Sequence, residues 1–226
     1  MSERLILTLG ILGGTGKEGR GLAYRWARAG YYILIGSRVA ERAQEAAAEV
    51  NAKAGVGTVR GLTNLEAAGQ CDIAVLTVPY EAHRSILEEV REALKGKVLV
   101  DVTVPIQPPM VTVLHRPKEG SAALEAQAIV GESVDVVAAF QNVSHVHLNQ
   151  DGPVPCDVLV SGRTPEARKQ VLQLVESARM VGWDAGPLEN AVALEGLTPI
   201  LLGINKEYGL RAAGIRISGE PRFDRK

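Results

Sequence analysis

Three glycines near the start of the chain, Gly14, Gly16 and Gly19, have the spacing of a loop that binds a dinucleotide. They follow an apolar run that ends at Leu12, and a helical pattern of apolar residues follows them. In this setting the first two glycines let the backbone approach a pyrophosphate, and the third lets the helix pack closely on the strand. Free N–H groups and the helix dipole then favour the phosphate charge. The spacing therefore predicts a dinucleotide site.

The same segment does not fit the phosphate loop of nucleoside triphosphatases. That loop begins with Gly and ends in Lys followed by Ser or Thr. Here Lys17 is followed by Glu18, and Ile11 occupies the first position. A dinucleotide is therefore the predicted ligand.

The end of the second predicted strand indicates which dinucleotide binds. Sites for NAD place Asp or Glu about twenty residues past the glycines, where the carboxylate binds the ribose. This chain has Ser37 and Arg38 there, and Arg42 follows one helical turn later. One hydroxyl and two guanidinium groups suit a 2′-phosphate, which favours NADP. Alternatively, both arginines are solvated residues of a first helical turn, although cations there oppose the helix dipole.

The carboxyl ends of two later strands are predicted to line the nicotinamide. In an open α/β sheet, the ligand crevice lies beyond these ends. One end is Thr77, Val78, Pro79 and Tyr80, and the other is Asp101–Pro105. Small or apolar side chains followed by proline would give a dry wall for a flat ring. Simple termination of each strand by proline explains the same residues equally well.

Side chains suited to moving a hydroxyl proton are not evident in the sequence. Dehydrogenases that act on alcohols place His, Tyr or Lys as a general acid or base. We expect His83 to be solvated in the first turn of a surface helix, and His115 lies in a polar loop. His145 and His147 alternate on an extended stretch without a third metal ligand, and polar residues 141, 142 and 144 nearby are candidates to bind a heterocycle. We therefore predict no catalytic side chain and no metal.

Composition argues against several classes of protein. The chain has 226 residues, a net charge of −1 and only 4% aromatic residues, so nucleic-acid binding is not expected. It has neither an apolar run long enough to span a bilayer nor a signal-peptide pattern, which predicts a cytoplasmic protein without membrane contact. Cys71 and Cys156 make neither a redox pair nor a zinc cluster, so buried free thiols are expected.

Apolar strand-like runs alternate with helical patterns, which predicts an α/β fold. The predicted strands are Leu5–Leu12, Tyr32–Ile35, Thr58–Arg60, Ile73–Thr77, Val98–Asp101, Val134–Ala139 and Asp157–Ser161. The predicted helices include Ala40–Ala54, Tyr80–Lys95, a short one opening at Ser121, one from Thr164 to about Met180, and Ala191–Ile204. This order is typical of a Rossmann-type, doubly wound and mainly parallel sheet with a small, mostly helical C-terminal domain.

We divide the chain into an NADP-binding domain of residues 1–150 and a small domain of residues 151–226. The last predicted helix, Ala191–Ile204, is apolar nearly all round, although Glu195-Gly196 and Thr198-Pro199 interrupt it. A helix of this kind must be buried. In a chain this small, burial between the nucleotide domain and a second subunit is favoured over a core of its own.

Five segments resemble the NADPH-dependent reductases of the deazaflavin coenzyme F420. They occur in the family's order over nearly the whole chain. They are Leu12–Gly16, Gly36–Arg38, Asp72–Pro79, Asp184–Leu188 and Leu197–Pro199. The glycine loop is shared with many NADP enzymes, including relatives of pyrroline-carboxylate reductase, whereas the last two segments are more specific.

The resemblance implies reversible hydride transfer between NADPH and F420 in a homodimeric cytoplasmic enzyme. Such a transfer needs two stacked rings, and the cofactors carry most of the reactivity. By resemblance, the nucleotide is bound by Thr15, Ser37, Arg38 and Arg42, and the deazaflavin lies near Pro79, Val104, Gln141, Val143 and Leu197. Some members of the family have His where Gln141 stands here.

Two other functions are compatible with the same NADP-binding domain. An NADP-dependent reductase of a small imine or a ferric chelate would need a polar substrate pocket. A non-catalytic NADP sensor would keep the fold and relay the NADP/NADPH ratio to a partner.

Overall fold

A computed structural model describes residues 7–219 of the chain. The strands are β1 (Thr8–Leu12), β2 (Tyr32–Ser37), β3 (Val59–Thr63), β4 (Ile73–Leu76), β5 (Val98–Asp101), β6 (Asp135–Ala138), β7 (Asp157–Gly162) and β8 (Val181–Asp184). The helices are α1 (Lys17–Arg28), α2 (Ala40–Ala54), α3 (Asn64–Gln70), α4 (Tyr80–Val90), α5 (Ala122–Val130), α6 (His145–Leu148), α7 (Pro165–Ser177) and α8 (Ala191–Tyr208), with a 3₁₀ turn over Leu188–Asn190.

The described strands form one sheet in the order β3-β2-β1-β4-β5-β6-β7-β8. All neighbouring pairs are parallel except β6 and β7, which run antiparallel. The order reverses between β1 and β4, so the ligand crevice is expected beyond their carboxyl ends. The predicted Rossmann-type α/β class is confirmed. The sheet continues past residue 150, because the C-terminal segment adds β7 and β8 as well as α7 and α8.

Helices cover both faces of the sheet, which explains why the central strands are apolar throughout. On one face, Trp26 of α1 is completely buried and meets Phe140 edge to face, with ring centroids 5.6 Å apart. The Trp26 indole N–H also donates to the Leu174 carbonyl of α7 at 2.9 Å. These contacts tie α1 to the C-terminal part of the chain and fix where the glycine loop sits.

Several element boundaries differ from the sequence expectation. The helix predicted for Tyr80–Lys95 ends at Val90, because the next residues tighten into turns while Leu94 stays buried. The stretch from His145 to His147 is a short helix begun by Ser144, so the extended prediction was wrong. Its four residues are too few to show a helical period. The part of the predicted first strand at residues 5–6 lies outside the described residues.

Besides the 3₁₀ turn at Leu188–Asn190, one helix and one strand were not predicted at all. Helix α3 begins with a capping box, in which Thr63 and Glu66 satisfy each other's backbone N–H groups. Strand β8 lies at the sheet edge and is largely exposed, so it lacks the apolar pattern that marks the central strands. No helix in the described part of the chain is long and apolar enough to cross a membrane.

Candidate functional site

A cleft of about 450 Å³ lies beyond the carboxyl ends of β1, β2 and β4, where the strand order reverses. We call it the nucleotide cleft. It brings together most of the residues that the sequence assigned to the dinucleotide, together with Asn64 and part of α4. The lining residues are Gly13, Thr15, Gly16, Ser37, Arg38, Val39, Arg42, Asn64, Thr77, Val78, Pro79, Ala82 and Ile86.

The glycines of the loop have different physical roles. Gly16 is the exposed N-cap of α1, and a Cβ there would meet nothing within 4 Å, so it leaves room for a ligand. Gly19 lies against the loop itself, where a Cβ would come within 2.6 Å of Gly14 Cα. The Gly14 N–H already donates to the Ile11 and Gly36 carbonyls, at 3.2 and 3.0 Å. Gly14 and Gly19 therefore shape the loop, and Gly16 opens it to the cleft.

The three residues predicted to bind the 2′-phosphate, Ser37, Arg38 and Arg42, all line this cleft. Ser37 ends β2 and is mostly buried, and its Oγ accepts the Val39 N–H at 3.2 Å. Arg38 and Arg42 are exposed on the loop after β2 and in the first turns of α2. Neither arginine forms an ion pair with a carboxylate of residues 7–219. Both guanidinium groups are therefore available to an anion in the cleft.

Asn64 is a cleft residue that the sequence analysis missed. Its Oδ1 accepts the Gly13 N–H at 3.0 Å and so holds the start of the glycine loop, while its Nδ2 is buried without a partner among the described residues. Gly13 has φ of +68°, and a Cβ there would lie 2.2 Å from Val78 Cγ1. The Thr63–Glu66 capping box in the sequence could have placed Asn64 at a helix start beside the sheet edge.

A second cavity, of about 320 Å³, includes Glu18 of the glycine loop in its lining, and we call it the acceptor cavity. Its lining comes from widely separated parts of the chain. The lining residues are Glu18, Val102, Phe140, Gln141, Asn142, Val143, Ser144, His145, Thr198, Leu201, Leu202, Asn205, Arg211 and Ala213. Gln141 and Val143, predicted for the deazaflavin, are among them. Val104 and Leu197 are not, although their neighbours Val102 and Thr198 are.

The polar groups of the acceptor cavity are largely held by protein partners. The Gln141 side chain donates to the Asp101 carbonyl at 2.7 Å, and Thr198 of α8 donates to the Gln141 carbonyl at 2.7 Å. The Asn142 amide donates to the Asp157 carbonyl at 2.9 Å. These bonds join β5, α8 and the segment after β6 into one wall. The wall is preorganised, because its amide groups are fixed before any ligand enters.

Glu18 stands apart from this pattern. It is the second residue of α1, and its Oε1 is buried with no hydrogen-bond partner among the described residues, although the side chain as a whole is partly exposed. Burial raises the pKa of the Glu18 carboxyl to about 8. In the sequence, Glu18 stands out only because it replaces the Ser or Thr of a nucleoside triphosphatase loop. A carboxylate inside the glycine loop predicted to bind phosphate was the feature that could have drawn attention to it.

The prediction that His83 is solvated was wrong, because its ring is completely buried. Its Nε2 lies 2.8 Å from Asp101 Oδ2, and its Nδ1 lies 3.3 Å from Glu125 Oε1. Burial lowers the pKa of His83, but the two carboxylates outweigh it and raise the pKa above its usual value. His83 falls on the same helical stripe as the buried Ile86, Leu87 and Val90, and this periodicity could have revealed it.

Glu195 explains the polar interruption of α8. Its carboxylate accepts the N–H groups of Ala122 and Ala123 at 2.8 and 3.0 Å, which caps the start of α5 from a distant helix. Burial raises the pKa of Glu195 to about 8, although the two N–H donors favour its charged form. Helix α8 is therefore fastened to α5 by a buried acid and to the acceptor cavity by Thr198.

The structure also places the two cysteines and the histidines at positions 145 and 147. Both cysteines, Cys71 and Cys156, are buried and free, as predicted. His147 bonds the Ala212 carbonyl at 3.1 Å, and His145 lines the acceptor cavity. Within residues 7–219, no group of three or more His, Cys, Asp or Glu side chains has an arrangement that could hold a metal ion.

Comparison with known proteins gives a consistent assignment. The family model described as NADP oxidoreductase, coenzyme F420-dependent, matches residues 8–105. The chain is 40% identical over 223 residues to the F420-dependent NADP reductase of Methanocaldococcus jannaschii, covering 94% of this chain and 98% of that one. It is also 40% identical over 223 residues to the enzyme of that name from Methanothermobacter marburgensis, covering 95% and 100%.

Solved structures support the same fold. A candidate F420-dependent NADP reductase from Arthrobacter sp. FB24 has a TM-score of 0.79 at 22% identity, covering 94% of this chain and all of that one. The pyrroline carboxylate reductase of Plasmodium falciparum, solved with NADP bound, has a TM-score of 0.58 at 17% identity over 89% of this chain and 67% of that one. At these identities the likeness concerns the fold alone. From the sequence relatives, the chain belongs to the family of coenzyme F420-dependent NADP oxidoreductases.

Proposed function

We propose that this protein transfers hydride reversibly between NADPH and the deazaflavin coenzyme F420. The observation that carries the proposal is the 40% identity to F420-dependent NADP reductases over nearly the full length of both chains. Two clefts that share the glycine loop support it, because Gly16 lines one cleft and Glu18, two residues later, lines the other. A direct hydride transfer requires two ligands at close range, and a shared loop suits that requirement.

The nucleotide cleft is the proposed NADPH site. Gly16 and Thr15 would meet the pyrophosphate at the start of α1, where free backbone N–H groups and the helix dipole favour negative charge. Ser37, Arg38 and Arg42 would bind the 2′-phosphate. Three further lining residues, Thr77, Val78 and Pro79, would place the nicotinamide at the carboxyl end of β4.

The acceptor cavity is the proposed F420 site. Its wall holds Gln141 and Val143, and Thr198 anchors the neighbouring backbone. When bound, F420 supplies a ring carbon that accepts or returns hydride, and the protein supplies orientation and exclusion of water. Val104 and Leu197 would lie near this site without lining it. We propose that residues 151–226 complete this site from the C-terminal side.

We also propose that the protein is a cytoplasmic homodimer. Helix α8 supports the dimer, because Ile200, Ile204 and Tyr208 form an exposed stripe at intervals of four residues, with Ile200 58% and Tyr208 74% exposed. An exposed apolar stripe of this kind favours contact with a second copy. The buried free thiols of Cys71 and Cys156 are consistent with a reducing compartment.

A light-scattering measurement tests the dimer. The protein is expected at twice the chain mass of 24.1 kDa. The double substitution Ile200→Glu and Ile204→Glu should shift it toward the monomer mass. Substitution of the exposed Leu65 by Glu, far from α8 in sequence, is the control. Equal masses for the double variant and the parent protein would contradict a dimer contact through α8.

An absorbance assay tests the reaction. Mixing the protein with NADPH and oxidised F420 should cause loss of the deazaflavin absorbance, and NADH should be much less effective. Turnover of a small imine or a ferric chelate without turnover of F420 would favour the alternative reductases. Tight NADP binding with no turnover of any of these would favour a sensor.

A further inference from the structure

Glu18 has an unusual position, because it lines the acceptor cavity from the first turn of α1. Its Oε1 is buried and has no hydrogen-bond partner among residues 7–219. A buried polar atom without a partner costs free energy, so such atoms are rare unless a ligand or water completes them. The neighbouring side chains of the cavity do not complete it, since the Gln141 and Asn142 amides are already bonded to backbone carbonyls.

Basic side chains lie on neighbouring elements, but none within residues 7–219 forms an ion pair with this carboxyl. His145 of α6 and Arg211, after α8, line the same cavity. On its own helix, Lys17 precedes it, and Arg20 is engaged by Glu49 of α2 in an ion pair. Burial is the one cause that shifts its pKa, and it raises that pKa to about 8. At neutral pH the carboxyl is therefore mostly protonated and can donate a hydrogen bond into the cavity.

The proposed reaction needs such a donor. A hydride carries two electrons and one proton, so its transfer to a neutral conjugated ring leaves the ring one proton short of the dihydro form. Completing the reduction requires a proton at a ring heteroatom, and the overall reaction is NADPH plus oxidised F420 plus a proton, giving NADP⁺ and reduced F420. A carboxyl whose pKa lies near the working pH can both give and take back this proton.

We propose that Glu18 is the proton donor and acceptor of this enzyme, acting on a heteroatom of the F420 ring in the acceptor cavity. In the forward direction, the C–H bond of the dihydronicotinamide breaks and a C–H bond forms on the acceptor ring. The Glu18 O–H bond breaks and an N–H bond forms on that ring, which leaves a carboxylate. The carboxylate regains a proton from water at the cavity mouth. In the reverse direction, the carboxylate accepts the ring proton as hydride returns to the nicotinamide.

This inference rests on the proposed function, and Glu18→Gln tests it. Glutamine keeps the size and a hydrogen-bond donor but cannot exchange a proton. We expect hydride transfer in a single turnover to slow by about 100-fold, within the range usual for loss of a general acid. Glu41→Gln is the matched control, because Glu41 is the second residue of α2 as Glu18 is of α1, but it is exposed. The control should keep the parent rate.

Equilibrium binding gives a readout besides activity. The affinity of the parent protein for oxidised F420 should fall at least threefold from pH 7 to pH 9, because the carboxylate formed above pH 8 no longer donates. The affinity of Glu18→Gln should not show this fall. Any titration of F420 itself is common to both proteins, so the difference between the two profiles reports on Glu18. Unchanged NADP affinity shows that the variant is folded.

Two results would overturn the inference. One is a Glu18→Gln variant that transfers hydride at the parent rate. The other is a pair of identical pH profiles for F420 binding. Failure of the proposed function itself looks different, because the parent protein would then not turn over F420 at all. Parent turnover with an unaffected variant rejects only the role of Glu18.

Discussion

The two clefts beside the glycine loop differ in how they are built. The nucleotide cleft is lined by residues 13–86, and its charged groups, Arg38 and Arg42, are exposed and unpaired within the described chain. The acceptor cavity is lined by residues between 18 and 213, and its amide groups are already bonded to the protein. One cleft offers two unpaired cations to an anionic ligand, whereas the other has a wall of bonded amides together with Arg211 and a buried, unpartnered oxygen of Glu18.

On the proposed function, this difference separates binding from chemistry. Binding of a phosphorylated nucleotide needs cations and backbone N–H groups, which a loop and one helix can supply locally. A site where two rings react needs fixed geometry and little water, which requires support from several elements. The buried cluster of His83, Asp101 and Glu125 lies behind both clefts, because α4 borders the first and the Asp101 carbonyl holds Gln141 in the second.

The largest effect is expected from breaking that shared cluster. His83→Leu would leave the buried Asp101 and Glu125 without their common partner, which should lower the free energy of unfolding by about 3–5 kcal/mol. Chemical denaturation measures this loss. Both ligands should also bind less tightly if the cluster supports both clefts. The control is His115→Leu, because His115 is exposed. Equal losses in the two variants would show that the cluster has no special role.

The next effect separates the shape of the glycine loop from its ligand contacts. Gly19→Ala would place a Cβ 2.6 Å from Gly14 Cα, so the backbone must move, and the free energy of unfolding should fall by about 3 kcal/mol. Gly16→Ala meets no protein atom within 4 Å, so the fold should keep its stability. The Gly16→Ala variant should nevertheless bind NADPH at least about tenfold less tightly, because the added methyl group occupies the space of the phosphates. Calorimetry of unfolding and of NADPH binding distinguishes the two variants.

A smaller effect tests whether the nucleotide cleft recognises the 2′-phosphate. Arg38→Ala should weaken the binding of NADPH by about 1.5–3 kcal/mol, because charge-assisted hydrogen bonds are lost. The binding of NADH should change little. Steady-state kinetics with both dinucleotides measures the difference. Arg91→Ala, at an exposed arginine after α4, is the control. An equal loss of affinity for NADPH and NADH would contradict the binding of the 2′-phosphate by Arg38.

The smallest effect concerns the acceptor cavity and pH. The unfolded chain ionises Glu18 near its usual pKa of 4.5, whereas the folded chain ionises it near 8. Between these values the folded state holds a proton that the unfolded state has lost, so stability falls as pH rises through this interval. Glu18→Gln should reduce this loss in the free energy of unfolding by on the order of 1 kcal/mol. The reduction is smaller than the full pKa shift would give, because the Glu18 side chain is partly exposed. Parallel stability profiles for the two proteins would contradict it.

Much of the nucleotide half could be predicted from the sequence, because its determinants are local. The alternation of apolar strands and helices predicted the α/β sheet, and α2 begins and ends where its pattern indicated. The glycine spacing placed the loop, and the missing acid near Ser37 and Arg38 indicated the kind of nucleotide. Chain neighbours supply both the backbone and the charge of this cleft.

Only the tertiary structure revealed the buried polar groups and their partners. Glu195 caps α5 from 73 positions away, and His83 meets Glu125 across 42 positions. No local period encodes such pairs, because a side chain's partner depends on how distant elements pack. The short helix at His145 and the edge strand β8 carry too few apolar residues to show a period. For the same reason, the sequence showed Glu18 within the glycine loop, but only the packing of distant elements placed it in the lining of a second cavity with its Oε1 buried.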